Sequence, residues 1–390
     1  MENFEEEKWI NDEDDEDETD YPIEINIVSS PNDFNIRTLF DFIESGIVKI
    51  PGFQRNFVWD IKRASRLIES ILMGIPIPQL FFFEKSNNEF LVIDGQQRLM
   101  TIYYFIKSRF PKLDKRSELR RIIDENGGVP KGVLADDRYF QDFELSLGTR
   151  YRGEKNRFNR ISYEELSASE LSLKTIRCIF IKSQNPDDDT SIYEIFYRLN
   201  TGGVNLTPQE IRISLYYSKF YDMLAKINLD ERWRRLTKPQ PDIRMRDMEI
   251  LLRGFALLIK FSLYKSPMIS FLNEFSKEAR NYDDGKVQYL KSLFESFLNV
   301  CNSLPNQAFQ LQSGRFSASV YESIFKAACE DAFNGNNLDI KPMNPEKLKE
   351  LKDDVEFLEA CGSHTTSRSN VNLRLSKANQ ILFSKGDVSE

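Results

Sequence analysis

Three segments of this 390-residue sequence combine glycine with polar and basic side chains, a composition that a buried core does not favour. They are residues 51–55 (PGFQR), 94–98 (DGQQR) and 198–203 (RLNTGG). Each segment lies where a predicted strand or extended stretch meets a predicted helix. In α/β structures such junctions gather at one edge of the sheet, where ligands bind. The three segments therefore predict a shared binding site.

The residue types in 94–98 suit phosphate chemistry. An apolar run predicts a buried strand that delivers Asp94, and Gly95 permits a sharp turn into a helix. The N-terminus of that helix would offer unpaired N–H groups to a phosphate, and Arg98 could grip the phosphate with two parallel hydrogen bonds. Asp94 is then either a Mg²⁺ ligand or a general base, while Gln96 orients a water molecule or a base edge.

A purely structural interpretation is also open for each segment. Asp94 could be the N-cap of the helix, with Gln97 completing a capping box, and spacing alone favours this explanation. Gln54 and Arg55 could be ordinary surface residues. Residues 200–203 could be no more than a helix C-cap and turn.

The composition excludes several classes of enzyme. His364 is the single histidine, so zinc sites built on several imidazoles and H-E-x-x-H proteases are excluded within this chain. Neither the P-loop pattern nor G-x-G-x-x-G occurs. Four scattered cysteines predict free thiols in a reducing cytoplasm. No apolar run approaches the roughly 20 residues that span a bilayer, so we expect a cytoplasmic protein with no membrane partner.

The net charge of −8 is concentrated at one end of the sequence. Residues 1–20 contain twelve acidic residues and one lysine, a local charge of −11, so the other 370 residues carry a net charge of +3. Such an acidic run repels itself and predicts a disordered tail.

The pattern of apolar residues predicts an α+β domain in residues 21–235 and a mainly helical domain in residues 236–390. Within the first, the polar and basic residues 107–175 predict an insertion. Thr207 followed by Pro and then Glu210 predicts a helix that opens with a capping box. The other predicted elements are helices at 36–45, from Asp60 and from about 95, strands at 80–83, 89–93 and 175–182, and helices at 242–264, 284–302, 316–333, 345–361 and 369–383.

Basic residues cluster in residues 107–121, 149–160 and 232–238, which indicates a nucleic-acid partner. In the second cluster they alternate with Tyr151 and Phe158, and backbone contacts by Arg and Lys beside aromatic rings are what nucleic-acid binding needs. The predicted DNA-binding residues are Arg150, Arg152, Lys155, Arg157 and Arg160. Ordinary solvated surface is the alternative.

Taken together and in order, the strings IPGFQRNFVWD, LVIDGQQRLMTI and IFYRLNTGGVNLTPQEIR resemble the N-terminal domain of the GmrSD-type modification-dependent restriction enzymes. The resemblance covers roughly residues 35–230, and that family is related to the ParB/sulfiredoxin-like superfamily. It implies a ParB-like fold and a nucleotide-binding and hydrolysing domain used in bacterial defence against foreign or modified DNA.

Matching the motifs residue by residue implies a set of roles. Arg98 and Arg55 bind phosphates, Asp94 holds Mg²⁺ or polarises water, and Gln96 and Gln97 position the water or the base. The implied catalytic residues are Asp94, Gln96, Gln97 and Arg98, and the implied nucleotide-binding residues are Gln54, Arg55, Gly95, Arg198, Asn200 and Gly203.

One departure from the family pattern shapes the expected function. Many members carry a second, C-terminal nuclease domain with a histidine-centred metal finger, which a region holding only His364 cannot form. We therefore expect a nucleotide-dependent DNA sensor that acts with a separate nuclease or effector, and an oligomer would be compatible with that role. The alternatives are a nucleotide-gated module that binds DNA or protein without turnover, and a nickase within the ParB-like fold.

Overall fold

The computed structural model describes residues 27–49, 57–86, 89–116, 118–119, 122–123, 128–149, 155–184, 194–196, 198–199, 207–242, 244–311 and 314–383. The predicted acidic tail lies outside these ranges. Two compact units divide the chain, Pro22–Leu206 and Thr207–Glu390. The division comes before the boundary predicted near residue 235. Trp233 explains the difference, because its fully buried ring packs against Phe294 and Phe316 of the second unit.

A mixed five-stranded sheet forms the centre of the first unit, which gives the predicted α+β class. The order is β1-β7-β3-β4-β2, with β3 and β4 antiparallel, β2 parallel to β4, β7 parallel to β3, and β1 antiparallel to β7. A second sheet pairs β5 with β6. The strands are β1 Ile27–Asn35, β2 Val48–Lys49, β3 Leu80–Ser86, β4 Glu89–Asp94, β5 Arg109–Pro111, β6 Phe140–Asp142 and β7 Thr175–Ser183.

Helices cover this sheet, and their first turns are fixed by side chains. Asn35 Oδ1 accepts from the N–H of Thr38 at 2.8 Å, and Asp60 Oδ1 accepts from the N–H of Arg63 at 2.6 Å, so Asp60 caps the helix that the sequence predicts to begin there. Each such cap contributes about 1 kcal/mol. The α-helices of this unit whose bounds the structure describes are α1 Ile36–Glu44, α2 Ile61–Leu72, α3 Gln96–Ile106, α4 Lys131–Leu134 and α5 Ala168–Leu171.

The described part of residues 107–175 contributes to the core of this unit and is more than a basic insertion. Phe143 is fully buried, and its ring lies 5.2 Å from Phe105 of α3 and 4.8 Å from Phe110 of β5. Phe140 and Phe158 are buried in the same apolar cluster. The apolar residues are spaced irregularly because short turns carry them, which is why periodicity did not reveal them.

The described part of the second unit is built from helices. Its first helix opens with the predicted capping box, in which Thr207 Oγ1 accepts from the N–H of Glu210 and Glu210 accepts from the N–H of Thr207. The single helix predicted at 345–361 is wrong, because Asp354 has extended backbone and caps a second helix. The helices are α6 Pro208–Tyr216, α7 Lys219–Asn228, α8 Glu231–Leu236, α9 Arg246–Lys260, α10 Met268–Ala279, α11 Asp284–Cys301, α12 Ala318–Asn334, α13 Pro345–Asp353, α14 Val355–Gly362 and α15 Arg368–Phe383.

Aromatic packing fills the interior of this second unit. Phe294, Phe297 and Phe325 are fully buried, and the rings of Phe297 and Phe325 lie 5.0 Å apart. Among the described residues no single helix has the length and apolar character to cross a bilayer. The consecutive segments Arg246–Leu263 and Met268–Ala279 meet those criteria only jointly and are bent by 95°.

Candidate functional site

The turn between β4 and α3 depends on Gly95. Its φ of 98° lies in the left-handed region, and a Cβ at this position would be 2.2 Å from Cδ2 of Leu80, so glycine is the residue that fits. Because Gly95 occupies the N-cap position without a side chain, the capping box predicted for Asp94 and Gln97 is wrong. Asp94 is instead the last residue of the strand.

The Asp94 carboxylate is held by Arg98, one helical turn later. Arg98 Nη2 donates to Asp94 Oδ2 at 2.5 Å, and Nη1 donates to the carbonyl oxygen of Pro78 at 2.6 Å. The Arg98 side chain is only 11% exposed, whereas that of Asp94 is 38% exposed. Both terminal nitrogens of Arg98 therefore have internal partners, and this geometry favours a role in orienting Asp94.

One oxygen of Asp94 remains accessible. Its Oδ1 accepts no hydrogen bond from any residue that the structure describes, while Oδ2 is taken by Arg98. The described residues contain no cluster of three His, Cys, Asp or Glu side chains that could hold a metal ion. Mg²⁺ commonly takes one or two protein carboxylates and completes its shell with water and phosphate oxygens, so Asp94 fits as a single protein ligand.

Gln97 joins the first two motifs. Its Oε1 accepts from the N–H of Val58 at 2.9 Å and from that of Trp59 at 3.4 Å, the residues that follow the PGFQR segment. On the other side of that segment, Lys49 pairs in parallel with Leu91 of β4. Lys49 and Val58, on either side of residues 50–56, therefore lie beside β4 and the start of α3. Gln54 and Arg55 themselves lie outside the described residues.

The remaining member of the DGQQR motif, Gln96, is the first residue of α3 and is half-buried. Its place at the N-terminus of an 11-residue helix is the one that the sequence predicted for a group near a phosphate.

The third motif, residues 198–203, follows strand β7 in the sequence. Strand β7, which precedes it, runs antiparallel to β4 and ends at the opposite edge of the sheet. Arg198 lies in a helical stretch, is 67% exposed and pairs with Glu194. Asn200 and Gly203 lie outside the described residues. The shared edge predicted for all three motifs is therefore confirmed for the strands that lead to the first two only.

The predicted DNA-binding residues that the structure describes lie on an exposed loop. Lys155, Arg157 and Arg160 are all exposed, and the Arg157 guanidinium lies 4.4 Å from the centroid of the Phe158 ring. Phe158 itself is buried, so its ring supports Arg157 and is not available to stack on a base. Arg150 and Arg152 lie outside the described residues.

The basic cluster at 232–238 is a structural feature, and its interpretation as a nucleic-acid surface is wrong. Trp233 is fully buried, and Arg234 is buried with Nη1 donating to Asp247 at 2.9 Å. Arg235 donates to the carbonyl oxygens of Cys301 and Leu304, at the end of α11. These side chains tie helices together, and the sequence could not show it because their partners lie far along the chain.

Comparison with known proteins agrees with the motifs. Residues 36–217 match the family model described as GmrSD restriction endonuclease, N-terminal domain. The match starts with α1 and includes α6, so it crosses the division between the two compact units.

A relative from Methanocaldococcus jannaschii, the uncharacterized protein MJ0686, is 26% identical over 258 residues. That alignment spans 50% of this chain and 43% of the relative, less than half of its length. The sequence-based resemblance is confirmed by the family match: residues 36–217 of this chain resemble the GmrSD restriction endonuclease N-terminal domain.

Proposed function

We propose that this chain is a restriction-like defence protein whose first unit binds and hydrolyses a nucleoside triphosphate with Mg²⁺. The observation that carries the proposal is the half-exposed Asp94 carboxylate, held by a buried Arg98 beside the Gln97-bound segment, within the residues that match the GmrSD family. A pre-oriented carboxylate at the carboxyl end of a strand is where α/β proteins place such chemistry.

Each side chain has a distinct role in this proposal. Asp94 presents Oδ1 to a Mg²⁺ ion or to the attacking water, and Arg98 fixes its orientation through Oδ2. Gln97 holds the Val58–Trp59 backbone against α3, and Gln96 lies at the helix N-terminus, where N–H groups attract phosphate. When bound, Mg²⁺ would neutralise charge on the phosphate oxygens. Roles for Gln54, Arg55, Arg198, Asn200 and Gly203 follow from the motif resemblance.

The partner we propose is DNA, foreign or modified, with a separate nuclease or effector that carries out cleavage. The exposed Lys155, Arg157 and Arg160 supply backbone contacts to it. The support is the matched family, which is described as a restriction endonuclease, together with this exposed basic loop.

One purified preparation can test the proposal in three assays. Calorimetry with each triphosphate and Mg²⁺ measures binding, phosphate release measures turnover, and supercoiled plasmid reports nicking. We expect binding and phosphate release without linearised plasmid. Binding without release would favour the nucleotide-gated module, plasmid nicking would favour the nickase, and no binding to any triphosphate would refute the proposal.

A matched pair of variants connects the result to the site. Asp94→Asn keeps a hydrogen-bond acceptor for Arg98 but removes the charge. Asp41→Asn removes the charge from an exposed pair with the same i,i+4 spacing, Arg37–Asp41 on α1. Loss of turnover in the first variant alone assigns the activity to the β4–α3 junction.

A further inference from the structure

Arg116 lies beside the proposed site, although no motif includes it. It is 7% exposed, and its guanidinium carbon lies 5.2 Å from the ring centroid of Phe57 and 5.6 Å from that of Phe110. Its Nη2 donates to the carbonyl oxygen of Trp59 at 2.9 Å. Because Gln97 accepts from the N–H of the same residue, Arg116 and Gln97 hold the two ends of the Trp59 backbone.

The charge of Arg116 is not neutralised by any described carboxylate within ion-pair distance. Its Nε and Nη1 are buried and have no hydrogen-bond partner in the described part of the chain. Burial lowers the pKa of the guanidinium, the Asp60 carboxylate acts in the opposite direction, and arginine stays protonated. Nearby Arg109 shows the usual solution, since it pairs with Asp137 at 2.6 Å and Asp142 at 2.9 Å.

A buried cation with unmet donors is costly, and an anion that accepted from these donors would offset that cost. The sequence assigned phosphate binding to Arg98, but both terminal nitrogens of Arg98 are occupied by Asp94 and Pro78. Arg116 differs in that two of its guanidinium nitrogens, Nε and Nη1, are buried without a hydrogen-bond partner in the described part of the chain.

We propose that Arg116 is a phosphate-binding residue of the nucleotide site, where its buried Nε and Nη1 donate to an oxygen of the phosphate chain. The inference rests on the proposed function and adds a residue outside the motifs. Aromatic rings of Phe57 and Phe110 hold the guanidinium in place before the ligand arrives, so little side-chain entropy is lost on binding.

The test compares Arg116→Met with wild type by calorimetry and thermal melting. Arg116→Met removes the desolvation cost of the buried charge but also its hydrogen bond to the Trp59 carbonyl, so the free variant should melt close to the wild-type temperature. Its affinity for the triphosphate should fall about 10- to 100-fold, the value of one or more charge-assisted hydrogen bonds. Arg109→Met is the matched control and should lower the melting temperature without changing affinity.

The outcomes separate this inference from the proposed function. If wild type binds triphosphate and Arg116→Met binds it equally well, Arg116 is structural and the inference fails alone. If wild type binds no nucleotide, the proposed function fails, and inorganic tripolyphosphate becomes the probe. A tripolyphosphate-induced rise in melting temperature that Arg116→Met lacks would still support the anion site; equal shifts, or none, would overturn it.

Discussion

Two groups in this chain pair arginine with a carboxylate, and they differ in how exposed the carboxylate is. At the β4–α3 junction Arg98 pairs with Asp94, which stays 38% exposed. In the helical unit Arg253 and Arg374 both pair with Glu322, with Arg253 at 2.5 Å, and none of these three side chains is more than 4% exposed. In the buried group each carboxylate oxygen lies in an ion pair, whereas in the first group Asp94 Oδ1 has no partner among the described residues.

This contrast separates a structural ion pair from the one that we propose is functional. The Glu322 group joins α9, α12 and α15, so its contribution is to the fold. The Arg98–Asp94 pair has one buried and one accessible partner, so the buried cation fixes the direction of a carboxylate that water and ligands can reach. Exposure of the acid, more than the presence of the pair, distinguishes the site that we propose.

The largest expected effect is on turnover in Asp94→Asn. Removing a group that binds Mg²⁺ or acts as general base should reduce phosphate release about 10²- to 10⁴-fold. The melting temperature should change little, because the side-chain oxygen of the asparagine can still accept from Arg98. Phosphate release and thermal melting on the same preparation measure both. If this variant kept wild-type turnover, the Asp94 carboxylate would be structural like that of Glu322, and the two groups would not differ in function.

The buried group should show the opposite response. Glu322→Gln leaves Arg253 and Arg374 buried together without a counter-charge, which should cost about 3–5 kcal/mol in the free energy of unfolding. Urea denaturation measures this cost, and triphosphate affinity of the folded protein should not change. Asp331→Asn, on the same helix, removes the exposed partner of Lys341 and should cost at most about 1 kcal/mol. Similar costs for the two variants would contradict the distinction.

Gly95→Ala tests how strongly packing at the β4–α3 turn constrains the Arg98–Asp94 pair. Left-handed backbone costs a non-glycine residue about 1–2 kcal/mol, and the new Cβ would also meet Leu80 Cδ2 at 2.2 Å. Gly46→Ala is the matched control, since Gly46 has a φ of +73° and nothing within 4 Å of its Cβ position. The excess loss of stability in Gly95→Ala over Gly46→Ala, measured by urea denaturation, gives the packing contribution. Equal losses would show that packing against Leu80 does not constrain the turn.

Local signals made much of the fold predictable. The caps at Asp60 and Thr207 are encoded within four residues, and the apolar runs at 80–83, 89–93 and 175–182 became strands. Strand β1 gave no signal, because its residues are mostly exposed and include Pro31. An edge strand with one unpaired side tolerates such a sequence, so pairing and not pattern creates it.

The candidate site was predictable in its residues and not in its contacts. A strand, a glycine turn and a helix could be recognised at Asp94, but the partners of Arg98 and Gln97 include backbone atoms of Pro78, Val58 and Trp59. Backbone partners carry no residue-type signal, so sequence cannot indicate them. For the same reason, the sequence shows Arg116 only as one of the basic residues in the cluster 107–121.

The smallest expected effect concerns the exposed basic loop. If Lys155, Arg157 and Arg160 contact DNA phosphates, replacing all three with Ala should weaken binding and reduce the slope of log K against log salt by about 0.9 for each lost contact. The effect should be uniform across DNA sequences, since phosphate contacts position a protein without reading bases. Fluorescence anisotropy at several salt concentrations measures both quantities.

The control is the triple variant Lys219→Ala, Lys226→Ala and Arg280→Ala, which removes the same charge from exposed positions of the helical unit. Because long-range attraction depends on net charge, equal losses in the two variants would show that the loop acts only through that charge. A change in slope confined to the loop variant would instead identify a DNA-contacting surface, distinct in exposure and in salt response from the arginines that pair inside each unit.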